Sequence, residues 1–479
     1  MNQNNSNYFI QTLAIIVLSV IAFVLLKPFL PEKLFPVAAT NMKNIVVDSL
    51  MLEALADSNN TYSPNNTNAI AKVNLPSEYV FSETSYVGYQ HLIPFFEKLV
   101  TLENTGKGKL RIAYYGDSMN DGDMIVQDFR ANFQNRFGGD GVGFVNIFSE
   151  SSASRGTVKH EHSKKWKSYS FVNTTNVKTP FGISGNVFFA NDSSSNYWVN
   201  YEASQQKNLT LLMQPTLFYG KSKNKNGQLV IVKDKDTIYK KLETNNFLNT
   251  LPLANVGKKL KIYFKNADSI PFYGVDFESE SGVYIDNFSN RGNSGLPLVN
   301  LKPEVLKAFN DKLHYDLIIL QYGTNVLGNG SKNFVWYENR MKKVVEHLRE
   351  AMPNVAIVVV SIADKAKKYD SQMQTDSAVY PLIDAQLNYA KATNSSFVNL
   401  FELMGGQGSM VKWADEQPAK ANKDYTHFNY RGSKIVADLL FDKIMKGYDE
   451  FVVQFKKKEV KIKADSLNQN HKIKVNYAK

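Results

Sequence analysis

Two uninterrupted apolar runs, DLIILQYG at 316–323 and VAIVVVSIAD at 355–364, constrain this chain most. A strand that alternates apolar and polar residues can leave one face in water, but one that is apolar throughout needs cover on both faces, as in a parallel sheet flanked by helices. The neighbouring sequence supplies that cover. A helical pattern over 332–351 stops before Pro353, another helix is expected over 377–392, and a shorter strand over 397–403 precedes an amphipathic helix over 430–446. Far upstream, a helical pattern from Tyr89 leads into a further apolar run, LRIAYYG at 110–116. From Asp121 a new helix begins, with Met124, Ile125, Phe129, Phe133 and Phe137 on one face. Strands alternating with helices imply an α/β fold with a mainly parallel sheet.

The middle of the chain follows another pattern. From about 160 to 275 it offers short runs such as GQLVIVKD and KLKIYFKN, several alternating apolar with polar and separated by Asn, Gly and Lys. That is the pattern of a β-sandwich, here interrupting the α/β alternation. The expected organisation is therefore a first α/β segment over 86–155, an inserted β-sandwich over 156–275, a second α/β segment over 276–450 and a basic tail over 451–479. Residues 32–85, with the polar run DSNNTYSPNNTN, read as a stalk. Residues 1–31 read as an N-terminal membrane anchor, because 9–26 is an uncharged apolar run close to the length of a bilayer-spanning helix. Cleavage near Ala38 and Ala39 is the alternative to a retained anchor. The expected location is the inner membrane, with the large domain on the periplasmic side. Lys27 and Lys33 oppose that orientation by the positive-inside rule.

The absence of cysteine excludes disulfides, thiolate metal sites and a cysteine nucleophile. The formal charge of +11 is spread over the chain and concentrated in the C-terminal tail, with no nucleic-acid motif beside it, so it reads as solvated surface.

Three short blocks carry the chemistry. The run 110–116 ends in Gly116, Asp117 and Ser118 just before a helix, a turn that presents a serine hydroxyl and aims backbone N–H groups at an anion formed there. Of seven histidines, only His427 has an acidic residue three positions before it in an apparent loop. Asp424 can accept the imidazole Nδ1 proton and leave Nε2 free to act as base. Gly323, Thr324 and Asn325 close the strand 316–323, where ligands of open parallel sheets sit, and the Asn325 amide can donate to an oxyanion. His160 and His162 have no third ligand in view, and no metal or organic cofactor is implied.

These blocks, in this order, resemble those of the SGNH (GDSL-like) hydrolases. The resemblance implies a flavodoxin-like three-layer fold, with Ser118 as nucleophile, His427 as base, Asp424 as its orienter, and Ser118 N–H, Asn325 and one glycine N–H as oxyanion donors. Two segments fit the glycine block, GISG at 182–185 and GNSG at 292–295. Gly295 is preferred over Gly185, because it follows a plausible strand, GVYIDNF, and precedes the 323–325 block by one helix and one strand. FGGDGVGFV at 137–145, the β insertion and MGGQGSMVKW at 404–413 resemble the peptidoglycan O-acetylesterase branch, in which a carbohydrate-binding-module-like sandwich interrupts the catalytic domain. Met119 departs from relatives that carry histidine after the serine.

The expected activity is thus a serine O-acetylesterase acting on acetylated cell-wall or surface glycan. A glycan O-acetyltransferase, served by a membrane-bound acetyl donor, is the alternative. A catalytically inactive glycan-binding protein is the rival of another class.

Overall fold

The computed structural model describes residues 79–476 apart from 175–178, 191, 193–195, 234–235, 254–256 and 328–330, together with residue 14, residues 17–19, Asp48, Leu50 and Met51. Five strands form a wholly parallel sheet: β1 (Lys109–Gly116), β2 (Gly282–Asn287), β3 (Tyr315–Gln321), β4 (Ala356–Val360) and β5 (Ser396–Val398), in the order β2-β1-β3-β4-β5. This is the flavodoxin-like order, with ligands expected at the carboxyl edge beside β1, where the strand order reverses. β3 and β4 are buried at every position, as their unbroken apolar runs require.

Six longer helices cover the sheet. On one face lie α1 (Ile93–Thr105), α2 (Met124–Phe137) and α6 (Tyr430–Asn476). On the other lie α3 (Pro303–Leu313), α4 (Val335–Ala351) and α5 (Val379–Ala392). The final helix runs well past the expected 446, because Tyr448, Phe451 and Phe455 continue its apolar stripe against Phe96 and Tyr79.

The middle of the chain folds into two antiparallel sheets that share an apolar core of their own. One contains Thr216–Gly220 and Phe272–Phe277, and it also takes in Gly143–Asn146 from ahead of the expected insertion. The other contains Val158–His162 and Tyr197–Ala203. The first sheet packs on α3: Phe218 stacks on Phe309 at 5.7 Å, and Phe144 and Tyr273 meet the same ring edge-on. Beneath this contact the β1 side chain Arg111, 1% exposed, pairs with Asp286 of β2 and with Asp276 and Glu278 at the end of the inserted segment.

Two expectations change. The membrane-spanning helix expected over 9–26 is corrected: among the described residues no helix is long and apolar enough to cross a membrane. Of 9–26 only residues 14 and 17–19 are described, and the rest of that run lies outside the described residues. Part of the segment expected to be a free stalk is docked. Asp48 and Met51 are buried against the α3–α4 side, and Val80, Ser82 and Glu83 bond to Gln454, Glu450 and the pair Lys443 and Lys446 on α6.

Candidate active site

β1 ends at Gly116 because nothing larger fits: a Cβ there would stand 2.7 Å from Asn120 Nδ2 and 2.9 Å from Ser289 Oγ. The chain then turns through a short 3-10 segment, Ser118–Asp123, capped by Asp117, whose carboxylate accepts from Met119 N–H at 2.9 Å. Ser118 opens this turn, where the first N–H groups lack intrahelical partners.

The Ser118 hydroxyl lies 2.9 Å from His427 Nε2, and His427 Nδ1 lies 2.8 Å from Asp424 Oδ2. Asp424 Oδ1 accepts from the N–H groups of Thr426 and His427, each at 3.0 Å, so the loop fixes the carboxylate and the carboxylate fixes the ring. Burial pushes the Asp424 carboxyl up, but hydrogen bonds from the His427 ring and from these two N–H groups outweigh it and hold the pKa near 2. The left-handed backbone of Tyr425 (φ 52°) bends the loop, and its carbonyl accepts from Ala366 N–H. Asp424 and His427 keep 36% and 37% of their side-chain surface exposed, so water reaches this relay.

Asn325 follows β3 on the adjoining turn. Its Nδ2 donates to Asn293 O at 3.0 Å and to Asp117 Oδ2 at 3.3 Å, which ties it to the residue beside Ser118. Gly295 is buried, with φ 93°, and a Cβ there would meet the Tyr322 ring at 2.7 Å. Its N–H donates to Asn293 Oδ1 at 2.9 Å, so in this arrangement it is committed to the loop and not open to a ligand. The competing Gly185 belongs to a turn between inserted strands, where its N–H donates to Gly182 O and its carbonyl accepts from Phe171 N–H.

Four residues around the site have parts that the sequence reading did not assign. Asn293 holds both Asn325 and Gly295, and it sits inside the GNSG block that flagged the loop. Asp48, 246 positions away, accepts from Ser294 N–H at 2.7 Å, and no local pattern announces it. Burial pushes the Asp117 carboxyl up to about 6, despite the Met119 hydrogen bond and the nearby His427. Lys365 lies close behind, donating to Thr324 O at 3.3 Å, its pKa lowered by burial against the opposing charges of Asp376, Asp117 and Asp424. Among the described residues no group of histidines and carboxylates could hold a metal ion. His160 stacks on Tyr201 and bonds through Nε2 to Ile147 O, while His162 stacks on Phe148.

Residues 268–435 match the sequence model of the GDSL-like Lipase/Acylhydrolase family. Among solved structures, a peptidoglycan O-acetylesterase superposes with a TM-score of 0.61 at 19% identity, over 74% of this chain and 96% of that one. A Bacillus subtilis protein (TM-score 0.30, 10% identity, 60% of this chain and 90% of that one) and a family two carbohydrate esterase from Cellvibrio japonicus (0.25, 9%, 62% and 99%) are more distant. The first likeness extends to a shared fold. A search of curated proteins finds no match.

Proposed function

We propose, from the match of residues 268–435 to the GDSL-like Lipase/Acylhydrolase family, that the chain is a serine O-acetylesterase of cell-wall glycan, with Ser118, His427 and Asp424 as its triad. The observation that carries the proposal is the continuous relay from Ser118 Oγ to His427 Nε2 (2.9 Å) and from His427 Nδ1 to Asp424 Oδ2 (2.8 Å) at the carboxyl edge of a parallel sheet.

Ser118 Oγ attacks the ester carbonyl as its proton passes to His427 Nε2, and Asp424 stabilises the imidazolium through Nδ1. The oxyanion of the tetrahedral intermediate is met by the Ser118 N–H and by Asn325, whose longer bond to Asp117 is the one it can exchange. His427 then protonates the departing sugar oxygen, leaving acetyl-serine. Water, activated by the same imidazole, releases acetate and restores the serine. Gly295 supports this site by holding the Asn293 loop. The one-third exposure of His427 and Asp424 favours water over a sugar hydroxyl as the acceptor, since a transferase has to keep water from the acyl-enzyme. The acetylated cell-wall glycan is carried over from the peptidoglycan O-acetylesterase likeness, and such a substrate lies outside the cytoplasm.

The test incubates the full chain and its Ser118→Ala variant with 4-nitrophenyl acetate and with O-acetylated peptidoglycan fragments. Acetate release that depends on Ser118 is expected on both. Acetylated sugar in place of free acetate would make the chain a transferase. Turnover that survives Ser118→Ala would remove the triad from the mechanism.

A further inference from the structure

The chain that leaves β4 is fastened to both of the loops that carry the proposed chemistry. Residues 361–365 lead into an antiparallel hairpin, Ala366–Tyr369 with Gln372–Thr375. Two backbone bonds pin its base: Lys365 O accepts from Asp376 N–H at 2.8 Å, and Ala366 N–H donates to Tyr425 O at 3.0 Å. Tyr425 stands between Asp424 and His427, so the backbone at 365–366 is tied to the loop of the base. The Lys365 side chain goes to the other loop. Its Nζ donates to Thr324 O at 3.3 Å, one residue before Asn325.

That bond bears directly on Asn325. The Thr324 carbonyl and the Asn325 N–H belong to one planar peptide unit, so an ammonium held on that oxygen fixes the plane from which the Asn325 side chain projects. A charge-assisted bond does so more firmly than a neutral one. The need arises during the reaction. At rest, Asn325 Nδ2 is held by Asn293 O at 3.0 Å and by Asp117 Oδ2 at 3.3 Å. Turning to an oxyanion gives up the Asp117 bond and leaves the backbone to help aim the amide.

Keeping a lysine there has a cost. Burial disfavours its ammonium, and the charges of Asp376, Asp117 and Asp424 oppose that loss. Two of these carboxylates already serve the site, Asp424 at the His427 ring and Asp117 at the Asn325 amide. A lysine that only balanced one buried acid would pair with it directly. Among the described residues Lys365 makes no such pair, and its side-chain hydrogen bond goes to Thr324 O.

We propose that Lys365 is a positioning residue of this site, which holds the Thr324–Asn325 peptide in register with the loop of Asp424 and His427 and acts on the reaction through Asn325. The proposal rests on the esterase reading of Ser118.

The test is a double-mutant cycle on the full chain with 4-nitrophenyl acetate: the parent, Lys365→Met, Asn325→Ala and the two combined, with Ser118→Ala as the blank and unfolding midpoints for all. Lys365→Met should lower kcat about tenfold with KM unchanged, because the lost contact matters only where charge develops. In the Asn325→Ala background the same substitution should cost less than about twofold, since the group it positions is gone. A general loosening of the fold would lower kcat by the same factor in both backgrounds, and that outcome overturns the proposal. A parent-like kcat in Lys365→Met, or a loss carried in KM, overturns it too. Lys365→Gln is the second variant should methionine prevent folding, and the same comparison of backgrounds decides with it. Parent turnover that does not depend on Ser118 removes the esterase reading and this proposal with it, whereas Ser118-dependent turnover with additive effects removes the positioning role alone.

Discussion

Asp117 stands between the nucleophile and Asn325, and its carboxyl is the most perturbed group in direct contact with the proposed oxyanion donors. In the unfolded chain it releases its proton near the ordinary 3.8, whereas burial in the fold delays release to about 6. The folded state therefore binds the proton more tightly. The stability this contributes is complete below about pH 4 and is lost as pH rises through about 6, by roughly 2–3 kcal/mol. Asp117→Asn has no proton to lose. Its unfolding free energy relative to the parent should thus rise by that amount between pH 4 and 8, whatever its value at pH 4. A difference that stays constant with pH would mean that Asp117 titrates normally. Asn325→Ala is expected to lower kcat by about 100-fold or more with little change in KM, because the amide is needed where charge develops; an unchanged kcat would exclude it. The serine, histidine and aspartate blocks were legible because each is a local string whose chemistry is spelled by adjacent residues. The direction of the Gly295 N–H was not, because the Asn293 side chain decides it and a motif does not record side-chain rotation.

At the scale of elements, the parallel strands were legible for one physical reason: a strand covered on both faces has no polar positions to hide it. The same logic extends α6, since Tyr448 and Phe451 keep the stripe going where a lysine-rich composition suggested a tail. Asp48 is the opposite case. Its neighbours read as stalk, yet the carboxylate is fully buried and accepts from Ser294 N–H and from Met51 N–H, each at 2.7 Å. Tyr337 on α4 holds the same residue at its other end by donating to Ser294 O at 2.9 Å. Residues 293–295 are thus clamped between a helix and a segment that lies outside the family match. Asp48→Ala strands a buried N–H and should cost about 1–3 kcal/mol of stability. It should also lower kcat, because Asn293 anchors Asn325. Chemical denaturation and small-ester kinetics read the two effects separately. An unfolding midpoint and a kcat both equal to the parent's would show that the loop holds its shape without the clamp.

Across the whole molecule, the inserted sheets are built into the catalytic fold. The strand Phe272–Phe277 pairs with Gly143–Asn146 and runs on within a few residues into β2, the neighbour of β1 in the parallel sheet. Arg111 lies under that junction. It bonds to Asp286 at 2.7 Å and to Asp276 at 3.0 Å, while Asp286 also accepts from Tyr315 OH at 2.6 Å and Phe144 N–H at 2.8 Å. One cation therefore bridges carboxylates from both the inserted and the catalytic segments, while Lys109 also pairs with Glu278 and burial pushes the Asp276 carboxyl up. Arg111→Met would leave Asp276 and Asp286 buried without their partner, a loss of about 3–5 kcal/mol. The two segments share that cluster and the aromatic contacts on Phe309, so they should fail together, in a single transition seen alike by far-ultraviolet dichroism and by the inserted-sheet fluorophores Trp166 and Trp198, read with Trp336 and Trp413 replaced by Phe. If Arg111→Met instead produced two transitions, with the parallel sheet surviving the loss of the inserted sheets, the insertion would be a separable module. The expectation here is one transition at a lower midpoint, because the aromatic contacts on Phe309 still join the two segments when the arginine is lost.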